Sequence, residues 1–316
     1  MSRRIAFRAP LSKAIARIFS VSAALIAGSL AATAQDWSKT STPLQPLTSQ
    51  YFQNQYMMNP AMAGIDSGLH VNVAYRSQWT DMPGAPVTKS ATADYYFGDR
   101  VGGGINVFND KAGLINRTKA SFTYAYHLPL SNRKTDYLHF GLSLGINSER
   151  LDKSGLNGEM NDPAINAFNR RDNYFEIDYG MAYTGHNLTL QAAAPNLMNL
   201  LRKEDDRTVN GSTFFASASY RFFLENGIFN HIEPKATLRG VRGYESLVDI
   251  GANLVFLYEY LNVFGMYHSS RNFTAGVGFN YKSILGIQAM YTTQTSGLKN
   301  YSSGSFELGL VVHAFK

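Results

Sequence analysis

The chain has 316 residues, a formal net charge of +6, 13% aromatic residues and no cysteine. The absence of cysteine excludes structural disulfides, thiolate metal sites and a lipid anchor on cysteine. Five basic residues and no acidic ones lie in the first 34 positions, so without them the net charge is +1. A charge so close to neutral does not support a nucleic-acid-binding surface.

Residues 1–34 have the pattern of a Sec-type signal peptide. Basic residues such as Arg3 and Lys13 precede an apolar run from Ile18 to Leu30, which ends in the small-residue site Ala32-Thr33-Ala34. The apolar run is shorter than the ~20 residues that a membrane-spanning helix needs, which favours a cleaved signal over an N-terminal membrane helix. The sequence therefore predicts export and removal of residues 1–34.

Residues 35–68 lack a regular hydrophobic pattern and are rich in Ser, Thr, Gln, Asn and Pro. A polar stretch without periodicity predicts neither a strand nor a long helix. We expect a non-strand N-terminal segment that lies in the periplasm or inserts into the lumen of the domain that follows.

From residue 69 to residue 316, apolar and aromatic residues occupy alternate positions, which is the period of a β-strand. In the last segment, for example, Phe306 and Leu308 share one face, and Glu307 and Gly309 share the other. The alternation predicts an all-β, antiparallel fold with about fourteen strands. They lie near residues 69–79, 88–98, 101–109, 115–127, 137–149, 173–184, 187–194, 213–223, 231–240, 246–256, 259–267, 271–281, 284–294 and 303–315.

The lengths of the predicted connections favour a membrane barrel over a soluble sandwich. Even-numbered connections such as Gly98-Asp99-Arg100 and Lys282-Ser283 are mostly tight, whereas odd-numbered ones such as 150–172 and 195–212 are long and polar, with 128–136 an exception. Outer-membrane barrels have short periplasmic turns and longer extracellular loops. The pattern therefore predicts a transmembrane β-barrel in the outer membrane, with both termini in the periplasm.

Charged residues on the predicted strands lie opposite the apolar set. A charge that faces lipid at the bilayer midplane costs about 2–4 kcal/mol, so a membrane barrel must turn these residues into its lumen. In a soluble barrel they would form the solvated face instead. The residues predicted to face inward are Arg76, Asp94, Glu176, Asp178, Arg221, Glu233, Lys235, Arg239, Asp249 and Glu307.

No residue pattern predicts catalysis, a metal site or a cofactor. Gly141-Leu142-Ser143-Leu144-Gly145 matches a nucleophile elbow, but it lies within a predicted strand instead of a strand-to-helix turn. The histidines, including His127 and His139, have neither the spacing of a metal site nor that of a catalytic triad. We predict a non-enzymatic protein. A general porin or transporter is the first alternative, and a barrel hydrolase the second.

Several motifs between residues 50 and 113 resemble the PorP/SprF family of type IX secretion system membrane proteins. They are Gln50-Tyr51-Phe52, Asn59-Pro60-Ala61 with Ala63-Gly64, Tyr75-Arg76-Ser77-Gln78-Trp79, and Asn109-Asp110-Lys111-Ala112-Gly113. A looser resemblance covers residues 48–316. The motif residues taken as candidate structural or partner contacts are Gln50, Asn59, Pro60, Ala61, Gly64, Tyr75, Arg76, Gln78, Trp79, Asp110 and Gly113.

This resemblance implies an outer-membrane protein that anchors other proteins, or assists their export and surface attachment, by protein contacts. The implied partners are outer-membrane lipids, periplasmic subunits of type IX secretion or gliding motility, and a large secreted adhesin. The resemblance implies no catalytic residues. Because Arg76 and Gln78 lie on the inward positions of their strand, we expect them to fix the N-terminal segment. The porin alternative would require an open lumen.

Overall fold

The computed structural model of the chain describes residues 51–78, 84–131, 135–151, 173–197, 212–224, 227–241, 245–293 and 304–315. Among these residues, no helix is both long enough and apolar enough to cross a membrane. The strands are β1 (Leu69–Gln78), β2 (Val87–Gly98), β3 (Val101–Ala112), β4 (Ile115–Pro129), β5 (Asp136–Leu151), β6 (Tyr174–Gly185), β7 (Leu188–Ala194), β8 (Ser212–Tyr220), β9 (Phe222–Phe223), β10 (Phe229–Val241), β11 (Leu247–Phe256), β12 (Leu261–His268), β13 (Phe273–Tyr281), β14 (Leu285–Thr292) and β15 (Ser305–Ala314).

The strands form one closed, antiparallel sheet. Neighbours along the chain pair with each other, β15 pairs with β1, and the pairing of β10 with β11 completes the ring. β8 and β9 both pair with β10 and are separated only by Arg221, so together they occupy one of fourteen strand positions in the described chain. The predicted fourteen-stranded antiparallel barrel is confirmed, whereas the single strand predicted over residues 213–223 breaks at Arg221.

The two ends of the barrel differ in their connections. At one end, the turns Asp99-Arg100 and His186-Asn187 have positive φ at both residues, 50° and 71° in the first and 49° and 68° in the second. Positive φ at both central residues is the geometry of tight hairpin turns that match the twist of the strands. We call this end the turn end. The opposite end, which leads into the connections 152–172 and 198–211 outside the described residues, is the loop end.

The outer wall of the barrel is apolar and its interior is polar. Outward positions expose large apolar side chains, such as Phe122 at 62% and Leu308 at 60%. Most of the charges predicted to face inward are buried: Arg76, Asp94, Glu176, Glu233, Lys235, Arg239, Asp249 and Glu307. The other two are Asp178, whose side chain is 16% exposed, and Arg221, whose side chain is 52% exposed because it lies at the break between β8 and β9 near the turn end. This arrangement suits lipid outside and a polar lumen within.

One side of the barrel is taller than the other. β3, β4 and β5 have 12, 15 and 16 residues, whereas β12, β13 and β14 have 8, 9 and 8. The predicted strands 101–109 and 137–149 ended too early toward the loop end. Polar residues such as Lys111 and Arg150 occupy outward positions there, so the alternation of apolar and polar residues no longer marks the strand.

Candidate functional site

The lumen is occupied by residues Tyr51–Ile65, which we call the lumenal segment. It contains two short 3-10 helices, Gln55–Met57 and Pro60–Met62, and its residues Ala61 and Ala63 are fully buried. The segment contacts β11 near the loop end through Tyr51 and the start of β3 near the turn end through Ala63 and Gly64. It therefore runs through the barrel from the loop end toward the turn end, where β1 begins.

The Asn-Pro-Ala motif of the segment forms a capped turn attached to the wall. The side-chain oxygen of Asn59 accepts a hydrogen bond from the Ala61 backbone N–H at 3.0 Å, and Pro60 occupies the first helical position, where its missing N–H costs nothing. The Asn59 amide also donates to the Met181 carbonyl at 3.0 Å and to Gln191 Oε1 at 3.3 Å. Asn59 therefore both shapes the turn and joins it to β6 and β7.

Three glycines in the wall leave room for the backbone of the segment. A Cβ atom on Gly141 would lie 2.2 Å from the Ala61 nitrogen, and one on Gly102 would lie 2.2 Å from the Ala63 carbonyl oxygen. A Cβ atom on Gly180 would lie 2.0 Å from the side-chain oxygen of Asn59. Real carbon atoms do not approach so closely, so any side chain at these positions would displace the segment.

Position 64 requires glycine because of both its backbone conformation and its surroundings. Its φ of +66° lies in the left-handed region, and an added Cβ would lie 2.5 Å from the Tyr95 carbonyl oxygen. Its backbone N–H donates to Asp94 Oδ2 at 2.9 Å. An inward carboxylate of the wall thus holds the end of the segment just before the chain enters β1.

At the middle of the segment, Tyr56 reaches the wall through its hydroxyl. The Tyr56 hydroxyl donates to Thr123 Oγ1 at 2.7 Å, and both side chains are buried. Thr123 Oγ1 lies 2.5 Å from Ser143 Oγ. Ser143 is the serine of the Gly141–Gly145 motif, and it lies in the middle of β5, as the sequence predicted. It takes part in the hydrogen bonds that surround the segment.

Near the loop end, Tyr51 is anchored by a polar network of the wall. Its hydroxyl donates to Asp249 Oδ2 at 2.8 Å, and its ring stacks on His268 with 5.7 Å between centroids. Lys235 Nζ donates to the Tyr51 carbonyl. Arg239 Nε also donates to Asp249 Oδ2 at 3.2 Å, so the buried carboxylate has a charged partner. Buried charges that are paired and hydrogen-bonded in this way avoid most of the desolvation penalty.

The same network has the order of an acid, a base and a hydroxyl. Asp249 Oδ1 lies 2.9 Å from His268 Nδ1, and His268 Nε2 lies 2.8 Å from Thr274 Oγ1. This is the arrangement of a hydrolytic triad. However, Thr274 is completely buried and its hydroxyl also contacts Thr292 Oγ1 at 2.8 Å. With Tyr51 packed on His268, no substrate can reach the hydroxyl, and the network holds Tyr51.

Two candidate residues from the sequence, Arg76 and Asp110, belong to one inward row near the loop end. Thr88 Oγ1 donates to Asp110 Oδ1 at 2.7 Å, and Arg117 Nη2 lies 3.0 Å from Glu149 Oε1. Opposite charges thus alternate along the row, which is favourable in a polar interior. In order across β15, β1, β2, β3, β4 and β5, the row is Glu307, Arg76, Thr88, Asp110, Arg117 and Glu149.

The remaining candidate residues from the sequence occupy other places. Gln78 is completely buried on the inward face of β1, whereas Tyr75 faces outward and is 48% exposed. Gly113 lies in the turn between β3 and β4 with φ of +59°, and its N–H donates to the Gly84 carbonyl at 3.0 Å. Gln50 and Trp79 lie outside the described residues. The motifs therefore do not form one site: some hold the lumenal segment, and others lie on the wall.

The lumenal segment leaves a cavity of about 920 Å³ toward the turn end, which we call the turn-end cavity. His127 Nδ1 and His139 Nδ1 are 2.8 Å apart in its wall, and Arg100 and Arg221 also line it. Among the described residues, no group of three or more His, Asp or Glu is placed to hold a metal ion. Five of the seven histidines of the chain line this cavity: His70, His127, His139, His186 and His313.

Sequence patterns alone missed Gly141 and Gly180 as contacts of the segment, and they missed the anchor of Tyr51. In the sequence Gly141 belongs to the apparent nucleophile elbow, and no motif marks Gly180 or His268 as a contact. A glycine in the middle of a strand packs nothing and weakens the strand, so it often marks a close approach of another backbone. The sequence already indicates close packing at the run Gly102-Gly103-Gly104, and the same signal could have identified Gly141 and Gly180 as positions where a buried segment packs.

Comparisons with known proteins connect this barrel to one family. The family described as type IX secretion system membrane protein PorP/SprF matches residues 41–312, which is more than half of the chain. No curated protein matches the chain.

Similar solved structures include the outer-membrane protein Omp33 of Acinetobacter baumannii, with a TM-score of 0.48 and 10% identity over 79% of this chain and 100% of that one. The toluene transporter TbuX of Ralstonia pickettii has a TM-score of 0.48 and 10% identity over 83% and 94% of the two chains. A mutant of the Rh. blastica porin has a TM-score of 0.35 and 9% identity over 78% and 99%. Because these similarities are distant, the fold assignment rests on the strand pairing itself.

Proposed function

The chain belongs to the PorP/SprF family of type IX secretion system membrane proteins, and on this basis we propose that it anchors proteins, or assists their export and surface attachment, by protein contacts. Its closed barrel and its family place it in the outer membrane. We further propose that it is not an enzyme. The observation that carries the proposal is a lumen occupied by the chain's own N-terminal segment, which packs on the wall at Gly102, Gly141 and Gly180.

An occupied lumen favours protein contacts over solute passage. Porins conduct solutes through a water-filled interior. Here the segment packs directly on Gly102, Gly141 and Gly180, and a polar network holds its other end at Tyr51. A pore-forming function would require this segment to leave, so the porin alternative is less well supported than a contact function.

The positions of the strand ends support an orientation in which the partners are periplasmic. β1 begins and β15 ends at the turn end, and outer-membrane barrels keep their short turns in the periplasm. We propose export by the Sec signal peptide at residues 1–34 and periplasmic termini. In this orientation the turn-end cavity opens to the periplasm, where subunits of type IX secretion or gliding motility could dock. The loop end would face a large secreted adhesin outside the cell.

We also propose that the inward motif residues Arg76 and Gln78 help to fix the lumenal segment near the loop end. Both side chains are buried on the same face of β1, and Arg76 lies directly opposite Glu307. Together with Asp110 they place polar groups at the level where the segment is anchored. The proposed function of these motif residues is therefore structural, and they would act by holding the closed state of the lumen.

The test is recovery of partners with the tagged full chain from detergent extracts, followed by mass spectrometry. Thr135 lies at the exposed edge of the turn-end cavity, so Thr135→Trp fills its mouth, whereas Thr135→Ser keeps the space. We expect secretion or gliding subunits with the natural chain and with Thr135→Ser, and a clear loss with Thr135→Trp. Recovery of the barrel alone, together with steady channel conductance in planar bilayers, would instead establish a porin.

A further inference from the structure

The outer wall carries a polar surface on its tall side, near the loop end of β2 to β5. On the outward strand positions of the described chain, the charged residues are Lys89, Lys111 and Arg150 toward the loop end and Asp136 at the turn end. Elsewhere at the loop end these positions carry no charge, and apart from Ser77 and Gly240 they hold apolar or aromatic side chains such as Phe214. We name the polar surface the outer strip; it consists of Lys89, Asn109, Lys111, Asn116, Thr118, Ser148 and Arg150.

The strand register brings the members of the outer strip together. Lys89 pairs with Asn109, Asn109 with Thr118, and Thr118 with Ser148, which makes one row across four strands. Lys111 pairs with Asn116, and Asn116 with Arg150, which makes the next row toward the loop end. Lys89 pairs with Asn109 across the strands, and Lys111 lies two residues after Asn109 on β3. Lys89 and Lys111 are therefore diagonal neighbours on the same face of the sheet. Diagonal neighbours in a sheet are roughly 7–8 Å apart between Cα atoms, close enough for both amines to reach one ligand.

Hydrogen bonds between side chains organise the centre of the outer strip. The Asn109 amide donates to Asn116 Oδ1 at 2.7 Å and to Thr118 Oγ1 at 2.9 Å. These bonds orient three neutral polar groups between the lysines and Arg150. The two rows contain cations and neutral donors or acceptors but no acidic side chain on an outward position. Such a surface suits an anion that also carries hydroxyl groups.

The height of the outer strip matches the edge of the membrane. Lys111 is ten residue steps along β3 from the turn-end residue Val101. At about 3.3 Å per residue and a tilt of about 40°, they span about 25 Å, which is also the height of the apolar band of such barrels. Below the strip, outward residues such as Val107, Phe122 and Leu144 form the apolar wall. Lys111 therefore lies where lipid headgroups meet the hydrocarbon region. Lys89 pairs with Asn109, one row nearer the turn end, and its long side chain can extend its amine to the same level.

We propose that the outer strip binds the phosphorylated headgroup of a glycolipid in the outer leaflet. Lys89 and Lys111 would contact phosphate, the amides and hydroxyl of Asn109, Asn116 and Thr118 would contact sugar hydroxyls, and the acyl chains would lie along the apolar wall. The assignment of the outer leaflet rests on the proposed orientation, with the loop end outside. It does not depend on which protein partners the barrel has, because the strip faces lipid and the turn-end cavity faces the periplasm.

The test is lipid binding to the purified full chain, measured by native mass spectrometry in detergent. The probes are bisphosphorylated lipid A, the same lipid without its phosphates, and phosphatidylglycerol, with inorganic phosphate as a competitor. The double variant Lys89→Gln/Lys111→Gln is compared with Arg271→Gln/Lys282→Gln, which removes two positive charges from connections outside the strip. Heat-dependent gel migration verifies that both variants keep the folded barrel.

We expect the natural chain and the control variant to bind bisphosphorylated lipid A, and the strip variant to bind it about 10- to 30-fold more weakly, as the loss of two basic contacts to an anionic headgroup implies. Equal binding of the lipid with and without phosphates, or unchanged binding by the strip variant, would overturn the proposal. Equal binding of phosphatidylglycerol would show a general anionic-lipid surface, and displacement by millimolar phosphate would show a free-phosphate site. Both outcomes would contradict a glycolipid site while leaving the proposed secretion function untouched.

Discussion

The two ends of the lumenal segment are held by different kinds of contact. Toward the turn end, the backbone around Ala61 and Ala63 packs against Gly141 and Gly102, where a single added carbon atom would clash. Toward the loop end, Tyr51 enters a network of buried polar side chains centred on Asp249. One end is fixed by shape and the other by hydrogen bonds and charge.

This difference determines how each end can respond to change. A close-packed contact between backbones has no tolerance for added volume, because the surrounding wall is a closed sheet that cannot give way. Hydrogen bonds can be exchanged for bonds to water, so each contributes only about 0.5–1.5 kcal/mol net. We therefore expect the loop-end part of the segment to open locally at a lower free-energy cost than the turn-end part.

The largest effect is expected from Gly141→Leu, which removes the space for the segment. The new side chain would occupy the positions of Pro60 and Ala61, whose backbone atoms lie 2.2 Å from the first added carbon. The cost should exceed the roughly 1–3 kcal/mol typical of overpacking, because the clash is with backbone. We expect the segment to leave the lumen, with protease cleavage between residues 51 and 65 and new conductance in planar bilayers.

The matched control for this prediction is Gly309→Ala. Gly309 also faces the segment, but an added Cβ would meet Gln53 Oε1 at 3.5 Å, which is an ordinary contact distance. This variant should keep the closed lumen and the protease resistance of the natural chain. If the Gly141→Leu variant kept a closed lumen and its resistance to protease, close packing on the wall glycines would not be what fixes the segment.

A smaller effect is expected from Arg76→Ala, which removes a charge from the inward row near the loop end. Its neighbour Glu307 would stay buried without the positive charge opposite it on β1, and a buried polar group that loses a partner costs about 1–3 kcal/mol. Part of that cost should be relieved by water entering near Tyr51. We expect a lower unfolding temperature and faster proteolysis near Tyr51, while the turn-end part of the segment stays protected.

Ser77→Ala is the control for Arg76→Ala, because Ser77 is the next residue of β1 and faces outward by the alternation of the strand. It should change neither stability nor proteolysis. Unchanged protease sensitivity of the segment in Arg76→Ala would contradict the proposed role of Arg76 in holding it.

The fold could be predicted from the sequence because alternation reports directly on burial. In β4, Phe122 and Tyr124 are 62% and 53% exposed, whereas Thr123 and Ala125 between them are 1% and 0% exposed. A soluble barrel would reverse these exposed fractions. The charges on the inward positions are enough to choose the membrane barrel over the soluble one. Strand ends were harder, since β5 continues through Arg150 to Leu151 after the apolar pattern has stopped.

The position of the lumenal segment could not be predicted in the same way. Its contacts join residues far apart in sequence, such as Asn59 with Gln191 and Tyr51 with Asp249, and no local pattern encodes such pairs. The segment also has no period of its own, since its two 3-10 helices are only three residues each. The family motifs did mark Asn59 and Gly64, but the reason for those residues, a capped turn and a left-handed glycine, emerges only in the folded barrel.

The smallest effect is expected from Tyr51→Phe, which removes one hydroxyl and keeps the stacked ring. The bond to Asp249 is lost, but Asp249 keeps Arg239 and His268 as partners, so the net cost should be about 1 kcal/mol. Hydrogen exchange at the backbone amides near Tyr51 should become about fivefold faster, whereas exchange at Ala61 and Ala63 should not change. Tyr56→Phe, which removes the hydroxyl bonded to Thr123, should leave the amides near Tyr51 unaffected. Equal acceleration along the whole segment would mean that its two ends open as one unit, and that shape and hydrogen bonding do not act separately.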